Sequence, residues 1–276
     1  MNKFIFDQSL GMMNRGVSAA DAADSIHLPK SLSSLSYTQE LYGTIKQNVQ
    51  ANYMKYLGPF DGHPAHLDPP PTFEVAQKTI AYMGGPAAVV KKAKEDLKTG
   101  NYRWVAMVMS QVLQVDNENK SARELEASAL EKLGAQTQNP VWRNAYLSGA
   151  SELRNGKQPT RSIHRENQNK AALPTETLLE HLSTRVNAGR AEGKRFRVRL
   201  DVPDTKESFL LELKNSVLHF SKTKQAAPAT IVAPRQELYS VFGLEKSEYK
   251  VLGDKELVKE FLSVFDREQT RYSIVD

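Results

Sequence analysis

Cysteine is absent from the 276 residues of this sequence. Its absence excludes disulfide frameworks, thiolate nucleophiles and zinc sites built on cysteine, and it leaves the redox compartment undetermined. Long apolar runs are absent as well. The longest near the middle of the chain extends from Trp104 to Met109, whereas a membrane-spanning helix needs about 20 such residues. We therefore predict that the chain has no membrane span.

The amino terminus shows no secretory signal. In MNKFIFDQSLGMMNRG, Asp7 interrupts the apolar residues before the hydrophobic region of a signal peptide can form. The chain as it stands is therefore expected in the cytoplasm. Phe4 and Phe6 run into a helical pattern without a capping residue, which is typical of a chain that starts inside a structural element.

Neither sign of charge dominates, since 37 basic residues face 32 acidic ones and the net charge is +5. So small an excess does not require a nucleic-acid partner, although it would favour anionic ligands. The glycine-containing stretches GMMNRG and YMGGP lack the spacing of a phosphate-binding loop. We predict no nucleic-acid binding.

The sequence up to about Arg154 is patterned for helices. Ser18 and Asp21 form a capping box at the start of one helix, and Pro29 follows its end. Apolar residues spaced three and four apart in YTQELYGTIKQNVQANYMKYLG predict one long amphipathic helix. Gly100 and Gly134 repeat at the period of tetratricopeptide arrays, which favours helical hairpins. Further helices are predicted at 73–84, 86–99, 101–115, 119–133 and 138–154.

The pattern changes after residue 156. The polar stretch 157–172 has little apolar periodicity and is predicted to be a linker. After one more helix, RFRVRLDV alternates arginines with apolar residues, as a half-buried antiparallel strand does. SFLLELKN and SVLHFSK predict a hairpin turning at Lys214-Asn215, APATIVA a further strand, and two helices follow. We predict an all-α domain over 1–156 and an α+β domain over 173–276.

A loop rich in histidine and aspartate is the first candidate for chemistry. Asp61, His63, His66 and Asp68 lie among prolines and glycines in YLGPFDGHPAHLDPPP. Their spacing matches neither the helical nor the strand arrangement of common histidine metal sites. We interpret the loop as a set of turns in which aspartate caps its own backbone. The other histidines are scattered through separate elements, at His27, His164, His181 and His219.

Two basic and aromatic features allow two interpretations each. Arg195, Arg197 and Arg199 could form an anion-binding face, but alternating charge is also what a solvated sheet face shows, and we favour the latter. Trp104 and Trp142, each beside an arginine, could stack on a base or a cation. We expect them instead to pack in the cores of helical hairpins.

Longer segments carry a resemblance to a known family. They are DQSLGMMNRG, LYGTIKQNVQANYMKYLGPFDGHPAHLDPPP, IAYMGGPAAVVKKAKEDLKTGNYRWVAMVMSQVL and WRNAYLSGASELRNG. In order and nearly without interruption over 1–156, they resemble the dimerisation domain of the zinc-dependent alkyl sulfatases, members of the metallo-β-lactamase superfamily. LPTETLLEHLSTRVNAGRAEGKRF and the strands after it are similar to that family's C-terminal domain, which has a sterol-carrier-protein-like fold.

The resemblance implies a function for the family and a separate role for each of its domains. The family hydrolyses sulfuric esters of linear alkyl chains such as dodecyl sulfate. It uses two zinc ions held by a catalytic domain whose H-x-H-x-D-H run has no counterpart in these 276 residues. The chain is therefore expected to bind no zinc, to be inactive alone, to form a homodimer through 1–156 and to work beside a separate metallo-β-lactamase-type catalytic chain. His63 stands where the family usually has asparagine, so the loop is expected to be scaffold.

The same resemblance suggests site residues. Tyr42, Asn48 and Tyr56 would line the substrate entrance and offer hydroxyl and amide groups to the sulfate ester. Residues of the α+β domain would form an apolar groove for the alkyl chain, although core packing explains them equally well. These groove candidates are Phe209, Leu211 and Phe220. The alternative is a free-standing dimeric protein that binds lipid or another hydrophobic ligand without catalysis. Whether the chain is a fragment, a split-gene product or a remnant stays open.

Overall fold

The structure is a computed structural model that describes residues 1–157, 173–242, 249–267 and 273–275. The chain divides into two compact units. The first comprises Met1–Gln158 together with Ser273–Asp276, and the second comprises Pro159–Tyr272. Apart from Lys157, the predicted linker lies outside the described residues.

The first unit is helical, as predicted. Its helices are α1 (Asn2–Met13), α2 (Ala19–Ser25), α3 (Lys30–Ser33), α4 (Ile45–Leu57), α5 (Thr72–Tyr82), α6 (Pro86–Lys98), α7 (Tyr102–Val115), α8 (Lys120–Gln136) and α9 (Pro140–Asn155), with 3₁₀ turns at Ser36–Thr38 and Pro64–His66. Polar side chains begin several of them. Ser18, Thr44, Asn119 and Asn139 each accept a hydrogen bond from the backbone N–H three residues ahead. The predicted cap at Ser18 is confirmed, whereas α2 ends at Ser25, before the predicted stop at Pro29.

The long helix predicted from Tyr37 onward is wrong in its first third, because α4 begins only at Ile45. Thr44 caps the new start, and the Glu40 carboxylate accepts the Ile45 N–H at 2.5 Å. These side-chain hydrogen bonds satisfy backbone amides that a continuous helix would have satisfied internally. They therefore start α4 at Ile45, although the apolar periodicity extends further towards the amino terminus. Leu41, counted in the apolar stripe, is therefore 59% exposed.

Two apolar clusters hold the first unit together. The smaller joins α1, α2 and α4 around Ile5, Val49 and Tyr53, and the larger joins α5 to α9. Gly134 lies inside α8 against Leu147, whereas Gly100 lies between α6 and α7 with φ +87°. The two glycines of the 34-residue period thus occupy different places, a turn and a close helix contact.

The second unit is α+β, as predicted. Its elements are α10 (Thr175–Ser183), α11 (Ala188–Ala191), β1 (Phe196–Val202), β2 (Glu207–Lys214), β3 (Val217–Lys222), β4 (Ala229–Val232), a 3₁₀ turn at Arg235–Glu237, α12 (Leu238–Phe242), β5 (Lys250–Gly253) and α13 (Lys255–Ser263). The strand order is β3-β2-β1-β4-β5. Neighbours are antiparallel except β1 and β4, which run parallel and make the sheet mixed.

The alternation predicted for RFRVRLDV is confirmed in β1, where every second residue from Phe196 to Val202 is buried. The β2–β3 hairpin turns one residue later than predicted. Lys214 pairs with Val217, and the turn residues Asn215 and Ser216 have φ of 52° and 57°. Two consecutive left-handed residues are the hairpin geometry that matches strand twist, which explains why the turn is there.

One apolar core fills the second unit. It joins the buried face of the sheet to α10, α12 and α13. Phe261 is fully buried at its centre, with the rings of Phe196, Phe242 and Phe265 edge-on at 5.7, 6.1 and 5.3 Å. Among the residues described in either unit, no helix is long and apolar enough to cross a membrane.

Candidate functional site

An open groove of about 640 Å³ lies between α1 and α4 in the first unit. Asn48 lines it from α4, and Phe6 and Lys3 line it from α1. Asn48, Asn52 and Tyr56 follow one another at four-residue intervals, so they share one face of α4. The full lining consists of Asn2, Lys3, Ile5, Phe6, Asn48, Ala51 and Asn52.

Buried contacts beneath the groove fix the two helices. The Ser9 hydroxyl donates to the Ile5 carbonyl at 2.7 Å and accepts from the Asn52 amide at 3.2 Å. One residue further along α4, the Tyr53 hydroxyl donates to the Val17 carbonyl at 3.0 Å, and burial raises the pKa of Tyr53. Asn52 therefore has a structural partner, whereas the side-chain amide of Asn48 makes no hydrogen bond to the described residues and lines the groove.

The three predicted entrance residues lie along α4 and the loop before it. Tyr56 stands at the rim, where its ring meets the edge of Phe6 at 6.0 Å. Tyr42 is 87% exposed. A Cβ built on its neighbour Gly43 would lie 4.0 Å from Asn48 Oδ1, so the backbone beside Tyr42 is close to the Asn48 side chain. The structure thus places Asn48 in the lining of the groove, Tyr56 beside the lining residue Phe6, and Tyr42 next to Gly43 near Asn48.

Sequence reasoning missed the α1 side of this groove. Lys3 and Phe6 come from a segment that offered no motif, and only the helix pairing brings them to α4. Lys3 forms an exposed ion pair with Asp7 at 2.7 Å. Its ammonium group is therefore accessible at the groove, but the Asp7 carboxylate partly neutralises its positive charge. Asn52, by contrast, could have been found from its four-residue spacing to Asn48 and Tyr56.

The three groove candidates of the α+β domain lie on β2 and β3. Phe209 and Leu211 are fully buried, Phe220 is half-buried, and the two phenylalanine rings meet at 6.4 Å. All three belong to the apolar core of the second unit. An alkyl chain could reach Phe209 and Leu211 only if neighbouring side chains moved.

The histidine loop is held by its own side chains. Asp61 accepts the His63 N–H at 2.9 Å and contacts His66 Nδ1 at 2.6 Å, while His63 Nδ1 accepts the Ala65 N–H at 3.1 Å. Hydrogen bonds from the His63 amide and the His66 ring lower the pKa of Asp61. The predicted capping by Asp61 is confirmed. Within the described part of the chain, no three His, Asp or Glu side chains form a group that could hold a metal ion.

The arginine and tryptophan predictions have different outcomes. On the polar face of β1, Arg197 lies 3.7 Å from Glu212, and Arg199 pairs with Asp201 at 2.7 Å, as on a solvated sheet face. Trp104 is not a core residue, because 42% of it is exposed in an open groove between α7 and α8. Trp142 is half-buried at the start of α9, where its ring meets Tyr146 edge-on at 6.4 Å.

Comparisons with known proteins cover both units. Residues 18–156 match the family described as alkyl sulfatase dimerisation, and residues 165–276 match alkyl sulfatase C-terminal. Over its full length the chain is 39% identical to the alkyl/aryl-sulfatase BDS1 of Saccharomyces cerevisiae, of which it covers 44%. It is 34% identical over its full length to a linear primary-alkylsulfatase of a Pseudomonas species, of which it covers 42%.

A solved structure extends the likeness to three dimensions. The stereoselective inverting sec-alkylsulfatase Pisa1 from a Pseudomonas species superposes with a TM-score of 0.88 at 30% identity, over 99% of this chain and 45% of that one. The chain therefore spans less than half the length of each of these three proteins.

Proposed function

Because the chain belongs to the alkyl sulfatase family, we propose that it supplies the dimerisation and alkyl-chain-binding parts of a sulfuric ester hydrolase acting on linear alkyl sulfates such as dodecyl sulfate. The observation that carries this proposal is the match of both units, in order, to alkyl sulfatase regions. Hydrolysis itself would use two zinc ions on a metallo-β-lactamase-type catalytic part that the 276 residues do not encode.

The first unit would form a homodimer. Large apolar side chains are exposed from the last turn of α4, through the histidine loop, into α5. Soluble proteins seldom expose so many large apolar groups along one stretch unless a partner covers them. A second copy of this chain is the partner that the family match supports. The residues of this stretch, called the α4–α5 surface below, are Met54, Leu57, Phe60, Leu67, Phe73 and Tyr82.

The α1–α4 groove would face the substrate. Asn48 can donate its amide hydrogens to the sulfate oxygens, and the hydroxyls of Tyr42 and Tyr56 can donate in the same way. Lys3 adds a positive charge at the groove, which favours an anionic head group. These groups position an ester without breaking it, so each is proposed to bind and not to react.

The second unit would hold the alkyl chain. Phe209, Leu211 and Phe220 lie together on one face of β2 and β3, the first two inside the apolar core and Phe220 packed against it. A linear hydrocarbon gains free energy by leaving water, at about 0.8 kcal/mol per buried CH₂. Because the core is closed around Phe209 and Leu211, binding would require displacement of neighbouring side chains.

Reconstitution tests the proposal. Dodecyl sulfate hydrolysis with zinc is measured for this chain, for a separately produced alkyl sulfatase catalytic domain, and for their mixture. We expect no turnover by this chain alone and a large gain on mixing. Turnover by the purified chain alone would contradict the proposal. Binding of dodecyl sulfate without any gain on mixing would favour the free-standing binding protein.

A variant pair tests the groove. In the mixture, Asn48→Ala should raise KM for dodecyl sulfate by about tenfold, the loss of one hydrogen bond to a charged group. Asn155→Ala on α9 is the matched control, since Asn155 is an exposed helical asparagine outside the groove lining. Equal effects of the two substitutions would count against a substrate role for Asn48.

A further inference from the structure

The segment Ser273–Val275 belongs to the helical first unit, although the chain leaves that unit at residue 158. Its contacts are with α9 and α8. The Ser273 hydroxyl donates to Glu152 Oε1 at 2.5 Å, and the Ile274 backbone N–H donates to the same oxygen at 3.2 Å. One carboxylate oxygen thus accepts both a side-chain and a main-chain hydrogen.

A glycine on α9 makes room for the next residue. Val275 packs against the apolar cluster of α5 to α9. Its Cγ1 lies 3.2 Å from the ideal position of a Cβ on Gly149, and Leu130 Cδ1 of α8 lies 3.1 Å from the same point. Any side chain on Gly149 would collide with both. Gly149 therefore forms the floor of a small apolar seat that Val275 occupies.

The backbone of the segment bends at Ile274. Ser273 and Val275 contact the helices, whereas the side chain of Ile274 between them is 52% exposed. The Ser273 hydroxyl also accepts the Val275 N–H at 3.3 Å, which fixes the local turn of the backbone. The side chains of Ser273 and Val275 and the backbone N–H of Ile274 thus contact the helices, whereas the Ile274 side chain is mostly in solvent.

We propose that α8 and α9 form a docking site for a short Ser-x-Val segment, and that residues 273–275 of the same chain occupy it. Glu152 recognises the serine hydroxyl and the following amide, and the Gly149 seat recognises the valine. The docked segment fastens the chain to the first unit a second time, and this docking does not depend on the proposed sulfatase role.

Hydrogen exchange of the full-length protein tests the docking. Val275→Asp places a charge in the apolar seat, so the Ile274 amide should exchange about tenfold faster. Ser273→Ala removes one hydrogen bond to Glu152 without a clash, so the exchange should rise by roughly threefold. Ile274→Asp is the matched control, because it adds the same charge to a side chain that the site ignores.

The outcomes separate clearly. Faster exchange with Val275→Asp and Ser273→Ala, and unchanged exchange of the neighbouring amides with Ile274→Asp, supports the docking site. An unprotected Ile274 amide in the native protein overturns it, and so do equal effects of the two aspartates. Ser273→Ala keeps the test decisive if Val275→Asp loosens the helices more widely.

Concentration distinguishes the same chain from a second copy. Docking within one chain gives protection of the Ile274 amide that is constant over about a hundredfold range of protein concentration. Protection that rises with concentration would overturn the assignment to the same chain and indicate exchange of the segment between copies.

Discussion

The two units of this protein bury their apolar residues in different ways. The second unit gathers its large apolar side chains in one core, with Phe261 at its centre. The first unit divides its burial between two clusters and leaves many large side chains in water, of which Tyr82 is 93% exposed. The α+β unit thus keeps most of its described large apolar side chains in one core, while the helical unit offers apolar surface to a partner.

This difference makes the second unit the more sensitive to loss of a core side chain. Phe261→Ala should lower the free energy of unfolding of the second unit by about 3–5 kcal/mol, because it empties a site enclosed by three other phenylalanines. Both tryptophans, Trp104 and Trp142, lie in the first unit. In urea unfolding, the transition seen by circular dichroism but not by tryptophan fluorescence should therefore shift.

Leu252→Ala is the control for this substitution, because Leu252 is 58% exposed on β5 of the same unit. It should change the unfolding free energy by less than about 0.5 kcal/mol. A tryptophan transition that moves together with the other would show that the two units unfold as one, and the contrast between them would fail.

The first unit should respond more in association than in stability. Leu57→Asp places a charge on the α4–α5 surface, where Leu57 is 58% exposed. We expect the dissociation constant of the dimer to rise by about 100-fold, or roughly 3 kcal/mol, while unfolding of the monomer is nearly unchanged. Light scattering after size exclusion, over a range of concentrations, measures the effect.

The matched control is Val217→Asp, which charges an exposed apolar residue of the second unit. It should leave the dimer intact. If both substitutions dissociate the dimer, the association surface extends beyond the helical unit. A wild-type protein that is monomeric at micromolar concentration would contradict the proposal that a second copy covers the α4–α5 surface.

The first unit should also lose stability as the pH rises. Glu126 of α8 is buried, and its Oε2 atom has no hydrogen-bond partner among the described residues. Burial raises its pKa to about 7 against the opposing charge of Arg123. Because the folded state holds this proton more tightly than the unfolded state, the contribution of Glu126 to stability is complete below pH 4.5 and declines up to about pH 7. We expect a loss of roughly 2–3 kcal/mol.

Tryptophan-detected urea unfolding at several pH values measures this loss. Glu126→Gln keeps the shape of the side chain without its proton equilibrium, so its stability should be flat over the same range. Glu118→Gln, at an exposed glutamate before α8, is the control and should keep the native slope. A wild-type profile without a slope between pH 5 and 7 would contradict the burial of an ionisable group.

How far the sequence predicted this molecule depends on the range of the interaction. Local rules found the Ser18 cap, the alternation of β1 and the turns around Asp61, because neighbours in the chain decide each of them. Periodicity failed at Leu41, where the Glu40 carboxylate and the Thr44 hydroxyl start the helix later. Periodicity could not predict that Trp104 is exposed, because an apolar residue on a helix is buried only if another element covers it.

The candidate site shows the same limit. Asn48 and Tyr56 were proposed from a family resemblance, and their shared face of α4 follows from helical spacing. Lys3 and Phe6 could not be found, since only the packing of α1 against α4 brings them to the groove. Nor could any local pattern show that Gly149 and Glu152 receive residues 273–275, more than a hundred positions away.

The second unit should respond to pH in the opposite sense and by less. Glu207 accepts hydrogen bonds from Lys222 at 2.7 Å, Thr175 at 2.5 Å and Thr205 at 2.8 Å, and these lower its pKa to about 2. The unfolded state then binds the proton more tightly. This contribution is complete above pH 4.5 and is lost as the pH falls towards 2.

The side chain of Glu207 is 20% exposed and Lys222 lies in solvent, so screening reduces the loss to roughly 1–2 kcal/mol. Glu207→Gln should remove this acid sensitivity from the transition that tryptophan does not report, whereas Glu212→Gln, a half-buried neighbour on β2, should retain it. If acid instead weakened the first unit more than the second, the opposite pH responses of Glu126 and Glu207 would not govern the two units. If the unfolding free energies of the two units change with pH in opposite directions, each unit contains its own pH-sensitive group and the two units unfold independently.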